Sequence, residues 1–183
     1  MFKQLDHKHV LDFECNTELL YRFGEDTASG WVGISYYSVP KLISAKILRL
    51  IPVSIRRYMF TSAMVINRPE IPAHVDNEIK VSINFYVETA GATTYYHKIK
   101  NRSEASTIKL PNQTNGIIFL PEFLDTTGEF MAETGDVWVL DVTQPHSVSC
   151  KSHGLRTAYC AQSQIIEYSD VLHAFAGTGL ISE

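Results

Sequence analysis

Two histidines, one aspartate and one arginine carry the chemistry this sequence offers. His74 and Asp76 flank Val75 between two β-type runs. Residues two apart at a strand end point the same way, so an imidazole and a carboxylate can converge on one ion. His146 follows the apolar run Asp136–Val142 and the turn residues Thr143-Gln144-Pro145. Two imidazoles and one carboxylate on one face of an Fe(II) ion leave three positions open for a co-substrate and dioxygen. None of the three is a thiolate, which argues against a structural zinc site. Arg156 lies ten residues beyond His146 in an apolar and aromatic run, Leu155, Ala158, Tyr159 and Cys160. An unpaired guanidinium is costly there, so it needs an anion. Its planar fork matches the far carboxylate of a dicarboxylate whose 2-oxo acid end chelates iron.

Taken singly, His74 or His146 also fits a hydrogen-bonded structural or surface histidine, and a His-x-Asp triplet arises by chance in many proteins. The four residues together carry the reading. His97 has no carboxylate at metal spacing, His153 stands beside Gly154 in an expected hairpin turn, and His7 and His9 lie in a charged, solvated stretch. There is no GxSxG elbow, phosphate-binding glycine loop, dinucleotide fingerprint, CxxC or HExxH arrangement.

The elements that must position these residues are mostly β. Lys80–Glu88 alternates, with Val81, Ile83, Phe85 and Val87 on one face and Ser82, Asn84, Tyr86 and Glu88 on the other. Phe60–Asn67, Thr93–Ile99, Ile117–Leu120, Phe130–Glu133, Asp136–Val142, Ser147–Cys150 and Leu155–Gln162 read as further strands. Turns are expected at Pro111-Asn112, Thr127-Gly128, Thr134-Gly135 and His153-Gly154. Closely spaced short strands predict a barrel or jelly roll. The first sixty residues read as an irregular or helical cover. In it, Leu42, Ile43, Ile47, Leu50 and Ile51 fall at helical spacing between Pro40, suited to a first turn, and Pro52, suited to a stop. Arg56-Arg57 reads as a solvated basic face. Tyr168–Leu180 returns as a short helix or an irregular tail.

A chain of 183 residues fits one domain, here 1–183 with a β-barrel core at about 58–165. With 45% apolar and 20% charged residues the balance is globular. The net charge of −4 indicates no general attraction to nucleic acid, though it leaves room for a local basic groove. Three cysteines without paired spacing, Cys15, Cys150 and Cys160, point to free thiols in a reducing compartment, with Cys160 a small buried hydrophobe. No run is long and apolar enough to span a membrane, and the N-terminus lacks the apolar core of a signal peptide. The expectation is a soluble, cytoplasmic protein.

His74-Val75-Asp76, His146 and Arg156, ordered through a β-rich stretch, resemble the iron(II)/2-oxoglutarate-dependent oxygenase superfamily. The segments IPAHVDNEIKVSINFYVET, TTYYH and ETGDVWVLDVTQPHSV are most similar to its small phage and bacterial members, near the aspartyl/asparaginyl and proline hydroxylase branches. The resemblance covers roughly Phe60–Gln162. It implies a double-stranded β-helix (jelly-roll or cupin-like), to which the residue pattern adds the N-terminal helical cover, and Fe(II) held by His74, Asp76 and His146. It implies 2-oxoglutarate anchored by Arg156, dioxygen as the oxidant, and a hydroxylated C–H bond with succinate as co-product. Some branches place a hydroxyl residue two after the arginine, where this chain has Ala158, so the hydroxyl must come from elsewhere. Tyr58, Ser82, Asn84, Tyr86 and Tyr96 are candidates. Asn84 is the best placed, its alternative being a surface asparagine on an edge strand; Tyr96 either contacts the co-substrate or packs in the core. Two other readings stay open: a cupin-type metal enzyme independent of 2-oxoglutarate, and a non-enzymatic β-barrel binding or structural module. The substrate, a small molecule or a protein side chain, is not written in the loops Asn101–Thr114 and Phe123–Gly128, nor is the oligomeric state.

Overall fold

The structure is a computed structural model that describes residues 1–6, 21–23, 33–100, 105–109, 115–150 and 154–181. Its elements run β1 (Phe2–Gln4), β2 (Tyr21–Phe23), β3 (Ile34–Ser38), α1 (Lys41–Arg49), α2 (Val53–Arg56), β4 (Phe60–Ile66), β5 (Glu70–Asp76), β6 (Val81–Glu88) and β7 (Ala92–Ile99). They continue with β8 (Ala105–Lys109), β9 (Asn115–Phe119), β10 (Leu124–Met131), β11 (Val137–Leu140), β12 (His146–Cys150), β13 (Arg156–Ser163) and α3 (Tyr168–Ala176). All strand pairs are antiparallel. One sheet has the order β1-β11-β6-β13-β4-β3-β2 and the other β10-β7-β12-β5-β9-β8. The two sheets form a double-stranded β-helix, a jelly roll with helices laid on one outer face.

Strand β6 shows why this arrangement is stable. Its neighbours are β11 and β13, so both edges are hydrogen-bonded and neither face meets bulk water. Val81, Ile83 and Phe85 point outward into a cluster with Val137, Val139, Tyr159 and Ala161, covered by Ile47, Ile51 and Ile55 of the helical segment and by Val171 and Phe175 of α3. Ser82, Asn84 and Tyr86 are equally buried but face inward. Alternation in the sequence thus separates an apolar outer layer from a polar interior.

The helices are set by their caps and faces. In α1, Pro40 occupies the cap position rather than the first turn, and Lys46 and Arg49 sit in the last turn, where cations complement the helix dipole. Arg56 of α2 donates to the carbonyls of Ile51 and Arg49. A capping box between Glu167 and Asp170 starts α3. Leu42 departs from the expected apolar face: it is 72% exposed, whereas Ile47 is fully covered.

Several sequence expectations need correction. The first forty residues are not only a helical cover, because β1 and β3 extend the larger sheet on its two sides. Thr127-Gly128 is not a turn; it forms an irregularity inside β10, where the register against β7 shifts between Thr126 and Gly128. Part of the expected loop Asn101–Thr114 is strand β8, paired with β9. The turn at Thr134-Gly135 is present, with Gly135 at φ +90°, a conformation only glycine adopts without strain. Pro111-Asn112, His153, Cys15, His7 and His9 lie outside the described residues.

The face assignment of α1 is testable. Ile47→Ala should cost about 2–5 kcal/mol in denaturant unfolding, as expected for a truncated core aliphatic, while Leu42→Ala should change stability by less than about 0.5 kcal/mol. Equal losses would mean that α1 does not pack as described.

Candidate metal and co-substrate site

His74 and Asp76 are on β5 itself, not in a connection between strands. His146 opens β12, and the two histidines face each other across the ladder, His146 pairing with His74 on one side and with Tyr96 on the other. A register shift between His146 and Val148 lets Ile71 and His74, three apart, both line the interior. The rings of His74 and His146 lie 4.3 Å apart between centroids. His74, Asp76, His146 and Arg156 all line one cavity between the sheets, together with Asn84. Their exposures are 8%, 7%, 8% and 3%, so none is a solvated surface group.

The backbone selects the tautomers. His74 Nδ1 lies 2.9 Å from the carbonyl of Pro72, and His146 Nδ1 lies 2.9 Å from the carbonyl of Gln144. A carbonyl only accepts, so each Nδ1 donates its proton there; the His74 ring also meets the carbonyl of His146, whereas Nε2 of His146 presents a lone pair. This is the second-sphere arrangement that orients ligand histidines. Burial keeps both rings neutral. His74 is held well below the usual range by desolvation and then by His146, with backbone carbonyls opposing. Desolvation likewise lowers His146 to about 4.

Asp76 is the matching oxygen donor. Burial pushes its carboxyl up to about 7, since no cation compensates the lost hydration. His74 Nε2 and Asp76 Oδ1 are 3.9 Å apart. With a neutral imidazole this is not an ion pair but two lone-pair donors aimed at one region. Among the described residues no three His, Cys, Asp or Glu side chains form a ready-made cage. Two donors ~2.1 Å from one ion at right angles stand ~3 Å apart, so an ion must draw His74 and Asp76 closer by about 1 Å. The donor set fits a divalent ion of intermediate hardness: two imidazoles, one carboxylate and no thiolate.

Arg156 supplies the opposite pole. It opens β13 beneath the ring of Tyr86, with Cζ 5.0 Å from the ring centroid. Its Nη2 donates to the Tyr86 hydroxyl at 2.7 Å and to Thr94 Oγ1 at 2.9 Å. Its Nη1 is buried without a hydrogen-bond partner, and no carboxylate among the described residues pairs with the guanidinium. The hydroxyls beside the guanidinium thus come from Tyr86 of β6 and Thr94 of β7, not from position 158. Thr94 went unrecognised in the sequence, where only its β-branched run was visible.

The remaining candidates divide. Asn84 is not on an edge strand: it is buried in the cavity wall, accepting from Ser82 Oγ at 2.7 Å and donating to the Tyr86 hydroxyl at 3.4 Å. Tyr96 is fully buried among Phe2, Phe130 and Trp138, stacks on His146 at 5.7 Å, and its hydroxyl has no partner. Tyr58 is remote, with Arg57 stacked on its ring at 4.6 Å. His97 faces the opposite side of the sheet, bonded to Ser147 Oγ at 2.8 Å. Cys160 lies in the cavity wall, and Cys150 and Cys160 are both buried thiols. No described helix is long and apolar enough to cross a membrane.

No family model matches the sequence, and no curated protein matches it. Solved structures match it at low identity. A vicilin from hazelnut (Corylus avellana) matches over 81% of this chain and 32% of its own, with 9% identity and a TM-score of 0.45. HygX from Streptomyces hygroscopicus, with nickel and 2-oxoglutarate bound, matches over 83% of this chain and 77% of its own, with 13% identity and a TM-score of 0.45. YcfD, a ribosomal oxygenase from Escherichia coli in complex with cobalt and 2-oxoglutarate, matches over 86% and 40%, with 13% identity and a TM-score of 0.44. The chain spans about a third of the length of the vicilins it matches. Likeness at this level carries no chemistry, which must come from the side chains themselves.

The Asp76 carboxyl has a measurable consequence. Folding raises it from about 3.9 to about 7, so the group favours the folded state only while protonated. Its contribution is full below about pH 4 and is lost as pH rises through about 7. In thermal unfolding of metal-free protein, Asp76→Asn should therefore melt above the parent at pH 8, with the gap narrowing towards pH 4.5. A gap independent of pH would show that Asp76 ionises normally in the fold.

Proposed function

We propose that this protein is a non-haem iron(II) oxygenase that uses 2-oxoglutarate. The observation that carries the reading is Arg156: a buried guanidinium with one partnerless nitrogen, in the same cavity as two neutral imidazoles and a carboxylate. A buried cation without a counter-charge is held at a cost of several kcal/mol, which an anionic ligand removes. A dicarboxylate chelating a metal at one end and meeting Arg156 at the other satisfies both poles. His74 and His146 through Nε2, and Asp76 through its carboxylate, would hold the iron. Iron(II) with bound 2-oxoglutarate supplies dioxygen activation coupled to decarboxylation, the source of an oxidant strong enough for an unactivated C–H bond.

The chain's own residues do the positioning. Thr94 and Tyr86 occupy Nη2 of Arg156, which leaves Nη1 aimed at the ligand and spares it a search of rotamers. Ile34, Ile66, Ile71, Leu140 and Val148 wall the cavity with hydrocarbon and exclude water from the reacting centre. The carbonyls of Pro72 and Gln144 keep the imidazoles in the ligating tautomer. Asn84 supports the co-substrate anchor by donating to Tyr86, and Tyr96 acts by packing on His146. Hydroxylation is the outcome this reading favours, with a small molecule or a protein side chain as substrate.

Anaerobic titration of metal-free protein with Fe(II) and then 2-oxoglutarate tests it. A weak visible charge-transfer band should appear in the parent and vanish in His74→Ala. Arg156→Ala should weaken 2-oxoglutarate binding by about 1.5–3 kcal/mol, the worth of a charge-assisted contact. Iron binding without a band would indicate a metal enzyme of another kind; no iron binding at all would indicate a non-enzymatic barrel.

A further inference from the structure

The cavity has a second polar end that the co-substrate does not need. Along β13, Arg156 and Gln162 are six residues apart on the same inward face, a separation of about 20 Å. Around Gln162 the inward residues of neighbouring strands are Ser82 and Asn84 of β6, and all three line the cavity. Ser62 of β4 donates to Gln162 Oε1 at 3.3 Å, and Ser82 donates to Asn84 Oδ1 at 2.7 Å. All four are nine-tenths or more buried. Asp76, the last residue of β5, lies toward this end, since the next strand begins at Val81, beside Ser82.

Resting on the iron and 2-oxoglutarate reading above, we infer that this end receives the primary substrate, and that the substrate presents a neutral amide there. Among the residues lining the cavity only Arg156, Asp76 and the two histidines are ionisable in the accessible range, apart from a thiol and a phenol. Arg156 is committed to the far pole and Asp76 to the metal. A carboxylate, phosphate or ammonium entering beside Gln162 would be buried with no counter-charge, at a cost of several kcal/mol. An apolar group would set hydrocarbon against the Gln162 amide N–H groups, which donate to no described residue. A carboxamide or peptide amide has one acceptor and at least one N–H, the complement of what these side chains offer. The hydrogen bonds from Ser62 and Ser82 fix the oxygen ends of both side-chain amides, so their remaining donors and lone pairs are oriented before a ligand arrives.

The test uses the Fe(II)- and 2-oxoglutarate-loaded protein under anaerobic conditions. The probes are butyramide, butyrate and butylammonium, matched in length, and N-acetylalanine N-methylamide, which separates a main-chain amide from a side-chain carboxamide. At least one amide probe should shift the charge-transfer band at a half-saturating concentration about tenfold or more below the charged probes. In Gln162→Leu or Ser82→Ala, compared at equal chelate absorbance, that preference should fall severalfold; the second variant guards against misfolding of the first. A butyrate effect limited to loss of band amplitude is displacement of 2-oxoglutarate, not binding at this end. A formed band that answers equally well to a charged probe, or to no probe, overturns the inference and leaves the cofactor reading intact. Absence of any band in the parent overturns both.

Discussion

Strands β6 and β13 have to satisfy two different surroundings at once, and the rest of the structure depends on how they do it. Each lies in the middle of the larger sheet, so its backbone is paired on both edges and its two faces must be used inside the protein. The outward side chains, among them Val81, Ile83, Phe85, Tyr159 and Ala161, are sealed under α1, α2 and α3. The inward ones, Ser82, Asn84, Arg156 and Gln162, meet the opposing sheet across a cavity. At roughly 25 cal/mol per Å² of apolar surface, it is the outer layer that drives folding. That drive allows the inner layer to remain polar.

Inside, the costly groups are handled in different ways. The guanidinium of Arg156 is only half satisfied by the chain, through Tyr86 and Thr94, and its Nη1 is buried without a hydrogen-bond partner. The histidines avoid the cost by staying neutral, each tied by Nδ1 to a carbonyl two residues before it. Asp76 has no such escape, and burial moves its ionisation up to about 7. These residues hold an arrangement that a stable protein without a ligand would not select, since an apolar substitute at Arg156 would avoid the penalty. Strain of this kind concentrates at functional sites.

The same layer divides the cavity lengthwise. One end carries the guanidinium of Arg156, the middle the imidazoles of His74 and His146, and the other end the amides and hydroxyl of Gln162, Asn84 and Ser82, with Asp76 toward it. A barrel interior with such a gradient discriminates by charge before shape, because an ion placed at the wrong end has nothing to offset its lost hydration. Met64, Leu140 and Val148 line the same cavity with hydrocarbon.

Much of this was legible in the sequence, because the signals are local. Period-2 alternation in Lys80–Glu88 assigned β6 its two faces, and the jelly roll followed from the recurrence of such runs. His74, Asp76, His146 and Arg156 stood out as residue types whose chemistry needs partners, and they line one cavity. What pairing alone decided was not legible. Thr94 and Tyr86 reach Arg156 from 62 and 70 residues away. Thr127-Gly128 looked like a turn, but pairing with β7 absorbed it into β10 as an irregularity. Phe2 of β1 and Tyr36 of β3 entered the interior from a segment with no clear β pattern. A side chain's face is written in its own strand, but the neighbour it meets depends on register and sheet order. A slip of one residue would have turned every partner to the other side. The sequence by itself therefore determined which polar groups face inward, and only the tertiary structure decided what surrounds them.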